Sequence, residues 1–118
     1  EIGDAMREGV ERIIEEKALG VNRISFVGYL GGEAVCTGSL ISKEGEGFMF
    51  NVASHPDHRG KGLGSAVTVK LNGEAKSRGL ENVFIGTQPN TDVEKFYRGI
   101  GCKEVFKVKC VEIDLEEL

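Results

Sequence analysis

The chain reads as an α/β domain on a mixed central sheet, an antiparallel meander followed by β-α-β-α-β. Three observations predict this. Runs rich in β-formers, Ile24 to Leu30, Ala34 to Ile41 and Phe48 to Ser54, are separated only by short glycine-bearing stretches, Gly31-Gly32 and Lys43 to Gly47. A glycine-rich turn, His58-Arg59-Gly60-Lys61-Gly62-Leu63-Gly64-Ser65, then leads from the third run into an amphipathic stretch, Ala66 to Arg78. After it, a short apolar run and a second helical pattern follow, as crossover connections require.

Taken in order, Ile2, Met6, Val10, Ile13, Ile14 and Lys17 fall at helical spacing with Glu and Arg between them. They predict a helix over about Asp4 to Leu19, stopped by Gly20. The three strands of the meander come next. Leu63, Val67, Leu71 and Ala75 form one stripe of the following helix, which Gly79 ends. Gly73 lies inside that helix at a cost of ~1 kcal/mol relative to Ala, and close packing on the sheet is the reading offered for it. Val83 to Thr87 is a short strand. Thr91 and Glu94 make a capping-box pattern, and Val93, Phe96, Tyr97 and Ile100 share a helical face. The tail alternates twice, Phe106, Val108, Cys110 and then Val111, Ile113, Leu115; the shift between the sets predicts a bend, a bulge or two short strands.

Composition bounds the partners. A chain of 118 residues makes one domain with one core. Its start at Glu1 without Met reads as a fragment or C-terminal domain of a longer protein. A net charge of −4 and a pI near 5.2 argue against nucleic-acid binding through a basic face. No apolar run reaches the ~18 residues that span a bilayer, so no membrane partner is expected. Cys36, Cys102 and Cys110 are odd in number and form no Cys-x-x-Cys pair, which argues against a disulfide framework or a zinc site. A cytoplasmic, reducing setting is expected.

The loop carries the chemistry. Three glycines within five residues let backbone approach a ligand that a Cβ would block, and the first N–H groups of a helix bind anions. The Walker spacing fails, because His55 stands where its first glycine belongs and Gly62 follows Lys61. The dinucleotide pattern Gly-x-Gly-x-x-Gly is one residue short. What fits is Arg/Gln-x-x-Gly-x-Gly/Ala, met by Arg59, Gly62 and Gly64. This resembles the acetyl-CoA pyrophosphate loop of the GNAT N-acetyltransferase superfamily. Asn90-x-x-Val93-x-x-Phe96-Tyr97 and Tyr97 to Cys102 resemble two further patterns of that family, and the likeness runs from about Ile24 to Val111. Cys102 replaces a usual Phe, Val93 a usual Ala, and the strand before the loop carries no Glu, where some members keep a general base. The resemblance finds no counterpart here for the family's first strand and first helix, so a second copy of the chain or a preceding domain is expected to complete the sheet.

The resemblance implies transfer of an acetyl group from acetyl-CoA, the co-substrate, to the primary amine of an acceptor that the sequence does not name. It places acetyl-CoA between the strands Phe48 to Ser54 and Val83 to Thr87. Val52, Ala53 and Ser54 would pair with the pantetheine arm through backbone groups, one N–H holding the thioester oxygen. Arg59, Gly60, Lys61, Gly62, Leu63, Gly64 and Ser65 would hold the pyrophosphate, and Asn90 would contact the cofactor arm or orient its helix. Tyr97 would protonate the leaving thiolate; a phenol of pKa ~10 keeps its proton at neutral pH. Plainer readings stand beside these. Tyr97 on an apolar face is also a core residue, Asn90 a turn residue, and Arg59 and Lys61 solvated cations. His55 and His58 lack a third metal ligand nearby, and no metal is expected. The rival to catalysis is a non-catalytic CoA-binding regulatory domain.

Overall fold

The computed structural model describes residues 10–117, with side chains from residue 14 to residue 116. It divides into two compact units, residues 1–86 and 87–118. In the first, β1 (Val10–Ala18), β2 (Val21–Leu30), β3 (Glu33–Lys43), β4 (Glu46–Ser54) and β5 (Asn82–Ile85) form one sheet in that spatial order. β1 to β4 are antiparallel neighbours, and β5 lies parallel to β4 after the crossover through α1 (Leu63–Ser77).

The expected helix over Asp4 to Leu19 is corrected. Its first part lies outside the described residues, and Val10–Ala18 is a strand. Turn chemistry explains the outcome. Leu19 and Gly20 both have positive φ, 54° and 76°, as do Gly31 and Gly32, 59° and 83°, and Glu44 and Gly45, 51° and 82°. Paired positive φ is the mark of two-residue hairpin turns whose twist matches the strands they join. Gly20 is therefore a hairpin residue, not a helix stop. The turn sets Glu16 opposite Arg23 and Lys17 opposite Asn22, and a bulge between Arg12 and Ile14 absorbs the spacing that mimics a helix. A strand thus stands ahead of the meander, where the resemblance left one wanting.

The core lies between one face of the sheet and α1. Ile24, Phe26, Leu40 and Met49 meet Leu63, Val67, Leu71 and Ala75, all nearly inaccessible. Gly38 makes this contact close: a Cβ there would collide with Val67 Cγ1 and come within 2.9 Å of Leu71 Cδ1. Gly73 is different. It is exposed, and a Cβ there would touch nothing within 4 Å, so close packing does not account for it. α1 ends as expected at Gly79 (φ 73°): Gly79 N–H donates to Lys76 O and Leu80 N–H to Ala75 O, both at 3.1 Å, which satisfies the last carbonyls.

The second unit holds α2 (Asp92–Gly99). Its end repeats the device: Gly101 (φ 107°) donates to Arg98 O and Cys102 to Tyr97 O. Of the expected apolar face, Tyr97 is buried, while Val93 and Ile100 are about half exposed. The strands expected in the tail are corrected as well. Among the described residues, 102–114 enter no helix or sheet, and a short 3-10 turn covers Leu115–Glu117. Its alternating apolar residues meet no neighbouring strand that would bury them, and Val105, Val108 and Val111 are exposed.

Candidate functional site: an opened sheet above a glycine loop

β4 has unequal edges. On the β5 side its pairing runs from Glu46 opposite Asn82 to Met49 opposite Ile85 and stops. On the β3 side it continues to Ser54, opposite Cys36. Backbone groups of Phe50 to Ser54 that face the β5 side therefore have no ladder partner there. A row of such groups is a template for an extended polar ligand. The ladder with β3 slips between Thr37 and Ser39, so that Gly38 is opposed by both Asn51 and Val52, and Asn51 has φ 54°. A bulge bends the strand that carries it, and this one falls just past the last β5 pair. β5 itself ends at Ile85, two residues short of the expected Thr87.

Below the opening, the chain turns from β4 into α1. His55 N–H donates to Val35 O at 2.7 Å, Pro56–His58 make one 3-10 turn, and His55 Nδ1 accepts from Asp57 N–H at 3.2 Å. Gly60 and Gly62 then take φ of 78° and 79°, a left-handed conformation costly for residues with a Cβ. α1 starts at Leu63, and its first hydrogen bond runs from Ala66 N–H to Gly62 O at 3.0 Å. The N–H groups of Leu63, Gly64 and Ser65 thus have no intrahelical acceptor. Gly62 offers no side-chain cap, and the first turn carries no acid. Leu63 is 2 % exposed, so its side chain anchors the loop in the core while Gly60, Lys61 and Gly62 stay open to solvent. Donors, helix dipole and open backbone together suit a diphosphate.

Side chains around the loop tie it down. Lys61 Nζ lies 3.5 Å from His58 Nδ1, and His58 Nε2 lies 4.0 Å from Glu33 Oε2 at the start of β3. The rings of His55 and His58 meet edge to face at 5.7 Å. Among the described residues, no three His, Cys, Asp or Glu side chains converge as a metal site. A cleft of about 370 Å³ opens beside the end of β4, lined by Val27, Ala34 to Thr37, Ala53, Ser54 and His55. Cys36 in its wall is buried, and burial pushes its thiol pKa up, partly opposed by a backbone hydrogen bond with Gly28.

The structure therefore brings Val52, Ala53 and Ser54 and the run Arg59 to Ser65 into one unit. Asn90 and Tyr97 belong to the second. Asn90 is exposed at φ 60°, and its N–H donates to Glu94 Oε1 at 3.3 Å. Thr91 Oγ1 accepts from Glu94 N–H and donates to Gln88 O. Asn is among the few residues that tolerate this φ, so the turn alone accounts for its identity. Tyr97 is 5 % exposed and meets the Phe96 ring edge to face at 5.0 Å. Gly38 and Asn51, the two sides of the bulge, are not among the residues that motif and spacing single out. The one available signal was an Asn inside an apolar strand, a residue enriched at positive φ.

The fold has counterparts among solved structures. An aminoglycoside acetyltransferase from an uncultured soil metagenomic sample is 18 % identical, with a TM-score of 0.66; the match covers 78 % of this chain and 66 % of that one. A Trypanosoma brucei acetyltransferase is 22 % identical with a TM-score of 0.64, covering 95 % and 75 %. Glucosamine-6-phosphate N-acetyltransferase from Arabidopsis thaliana is 23 % identical with a TM-score of 0.61, covering 76 % and 67 %. This chain thus spans about two thirds to three quarters of their lengths. No curated protein sequence matches it. The sequence model of the Acetyltransferase (GNAT) family matches residues 4–102, which takes in the four-stranded meander, the glycine loop and both helices, and the chain belongs to that family.

Proposed function

We propose that the protein is an N-acyltransferase that moves an acetyl group from acetyl-CoA to a primary amine by direct attack in a ternary complex. The observation that carries this reading is the unpaired β4 edge, Phe50 to Ser54, leading straight into a loop whose helix N–H groups are uncapped. The loop binds the cofactor diphosphate through the N–H groups from Arg59 to Ser65. Val52, Ala53 and Ser54 bind the pantetheine amides, and one of their N–H groups holds the thioester oxygen as charge builds on it. The acceptor approaches from the cleft beside Ala53, Ser54 and His55. Its nitrogen forms the new bond to the acetyl carbon, the carbon–sulfur bond breaks, and Tyr97 gives its phenol proton to the departing thiolate; the proton that the nitrogen sheds on becoming an amide passes to water, from which the phenolate regains its own. Asn90 orients the helix that carries Tyr97. Two of the structures similar to it are an aminoglycoside acetyltransferase and glucosamine-6-phosphate N-acetyltransferase, so amino sugars head the acceptor panel.

The test is thiol release from acetyl-CoA with a panel of amino sugars, polyamines, amino acids and lysine peptides, run beside calorimetric CoA binding. Amine-dependent thiol release supports the proposal. CoA binding with no turnover on any amine would instead identify a non-catalytic CoA-binding domain. Failure to bind CoA would remove both readings.

A further inference from the structure

Val27, Thr37 and Ala53 stand opposite one another on β2, β3 and β4. The neighbouring pair, Phe26 and Gly38, faces α1, and successive strand residues point to opposite faces. The Val27, Thr37, Ala53 row therefore lies on the face away from α1. It spans two strand spacings, about 10 Å, and lines the cleft of about 370 Å³ together with Ala34. Ser54 and His55 lie at the β4 end of that cleft, beside the unpaired edge. The cleft is thus apolar along its body and polar at the end nearest the thioester. We propose that the acceptor is a primary amine on a compact apolar body, an arylalkylamine or alkylamine, rather than an amino sugar. Its nitrogen sits at Ser54 and His55, and its carbon body lies along the Val27, Thr37, Ala53 row. This names the acceptor of the acyl-transfer reading and rests on that reading.

The polar groups of the lining are poorly placed to serve a hydroxylated or polycationic body. Thr37 Oγ1 donates to Phe26 O at 2.9 Å, which commits its proton. His55 Nδ1 accepts from Asp57 N–H, so the neutral ring carries its proton on Nε2 and offers an ammonium no acceptor. Burial pushes the Cys36 thiol pKa up and keeps it uncharged. None of the described residues lining the cleft carries a carboxylate. The nearby Glu33 has Oε2 4.0 Å from His58 Nε2, and Asp57 has Oδ2 3.7 Å from His55 Nδ1. A sugar would give up its hydrogen bonds to water here for few in return. An alkyl or aryl body gives up none and gains by leaving water. Desolvation also favours the neutral form of the amine; the ammonium releases its proton to water on entry, and the free lone pair then attacks.

Steady-state thiol release at saturating acetyl-CoA tests the class. With the natural chain, kcat/KM for phenethylamine and pentylamine should exceed that for glucosamine and spermidine at least about tenfold. Ala34→Asp then sets a carboxylate on the cleft wall at an exposed position. It should turn the preference from pentylamine towards cadaverine, the same carbon chain with a second amine, by at least about tenfold in the ratio of their kcat/KM values. Glucosamine or spermidine used as well as phenethylamine would overturn the acceptor class and leave acyl transfer standing. An unchanged ratio in an Ala34→Asp protein that still binds CoA would overturn the placement of the acceptor in this cleft. Thiol release with none of the amines would remove the acyl-transfer reading, and the acceptor with it.

Discussion

Arg78 Nη1 lies 2.9 Å from Glu15 Oε1, and the same guanidinium reaches Glu74 Oε1 through Nη2 at 2.8 Å. One residue past the end of α1 therefore grips both its own helix and the first strand of the sheet. The three side chains are 19–26 % exposed, more sheltered than an ordinary surface pair. Arg78→Met keeps the stem and removes the fork, and should cost about 1 kcal/mol in urea unfolding. Glu15, then Glu74, raise the guanidinium pKa further above its ordinary value. A raised folded-state pKa gives stability that is lost only as pH rises through it. Arg78's own contribution should therefore stay constant between about pH 5 and 10.

Gly38 should be as sensitive as a core leucine. Gly38→Ala drives a Cβ into Val67 and Leu71 across the sheet–helix contact, and overpacking of this kind costs ~1–3 kcal/mol. Pairing it with Val67→Ala makes room, so the double variant should be more stable than the sum of the two single losses. Additive losses would mean that α1 moves off the sheet instead.

Gly73→Ala should do the opposite. The position is exposed and mid-helical, and the added methyl meets nothing. A gain of about 0.5–1 kcal/mol is expected from backbone entropy alone. A loss, read from the urea midpoint, would show that this helix face packs against something.

What the sequence disclosed depended on how local the cause was. The glycine loop, the stripe Leu63, Val67, Leu71, Ala75 and the stop at Gly79 are set by residues within a few positions of one another, and all three were legible. The strand Val10–Ala18 was not. Its apolar residues mimic a helix, and only the hairpin at Leu19-Gly20 and the ladder to β2 override that spacing. The tail failed for a related reason: its alternation is real, but a strand needs a neighbour, and none of the described strands pairs with it. Within the site, the loop could be read from its glycines. The opening of β4 could not, because it depends on where β5 stops, some thirty residues later in the chain.

The loop itself gives a clean binding test. Gly64 lies in the first turn of α1, where the N–H groups have neither an intrahelical acceptor nor a side-chain cap. Gly64→Asp adds a carboxylate at that helix end, which suits the dipole but repels a diphosphate and fills its space. Stability should hold while CoA affinity falls at least about a hundredfold, a like-charge and steric penalty of several kcal/mol. Unchanged affinity in calorimetry would show that the ligand binds elsewhere.

Tyr97 decides whether the site does acid chemistry. It is the one buried side chain of α2, and its ring is held against Phe96. Both a packing role and a catalytic role predict burial, so burial does not separate them. Tyr97→Phe does. It keeps the ring, its area and the contact with Phe96, and removes only the hydroxyl. If the phenol serves packing, loss of the hydroxyl changes unfolding by about 1 kcal/mol and leaves kcat alone. If it donates the proton to the thiolate, kcat should fall ~100- to 10,000-fold with little change in acetyl-CoA affinity, because the interaction exists only as sulfur leaves. A thioester donor with a more acidic thiol needs that proton less and should recover much of the rate in the variant. Wild-type kcat in Tyr97→Phe with the first amine that supports turnover would return Tyr97 to the core and leave the thiolate to water.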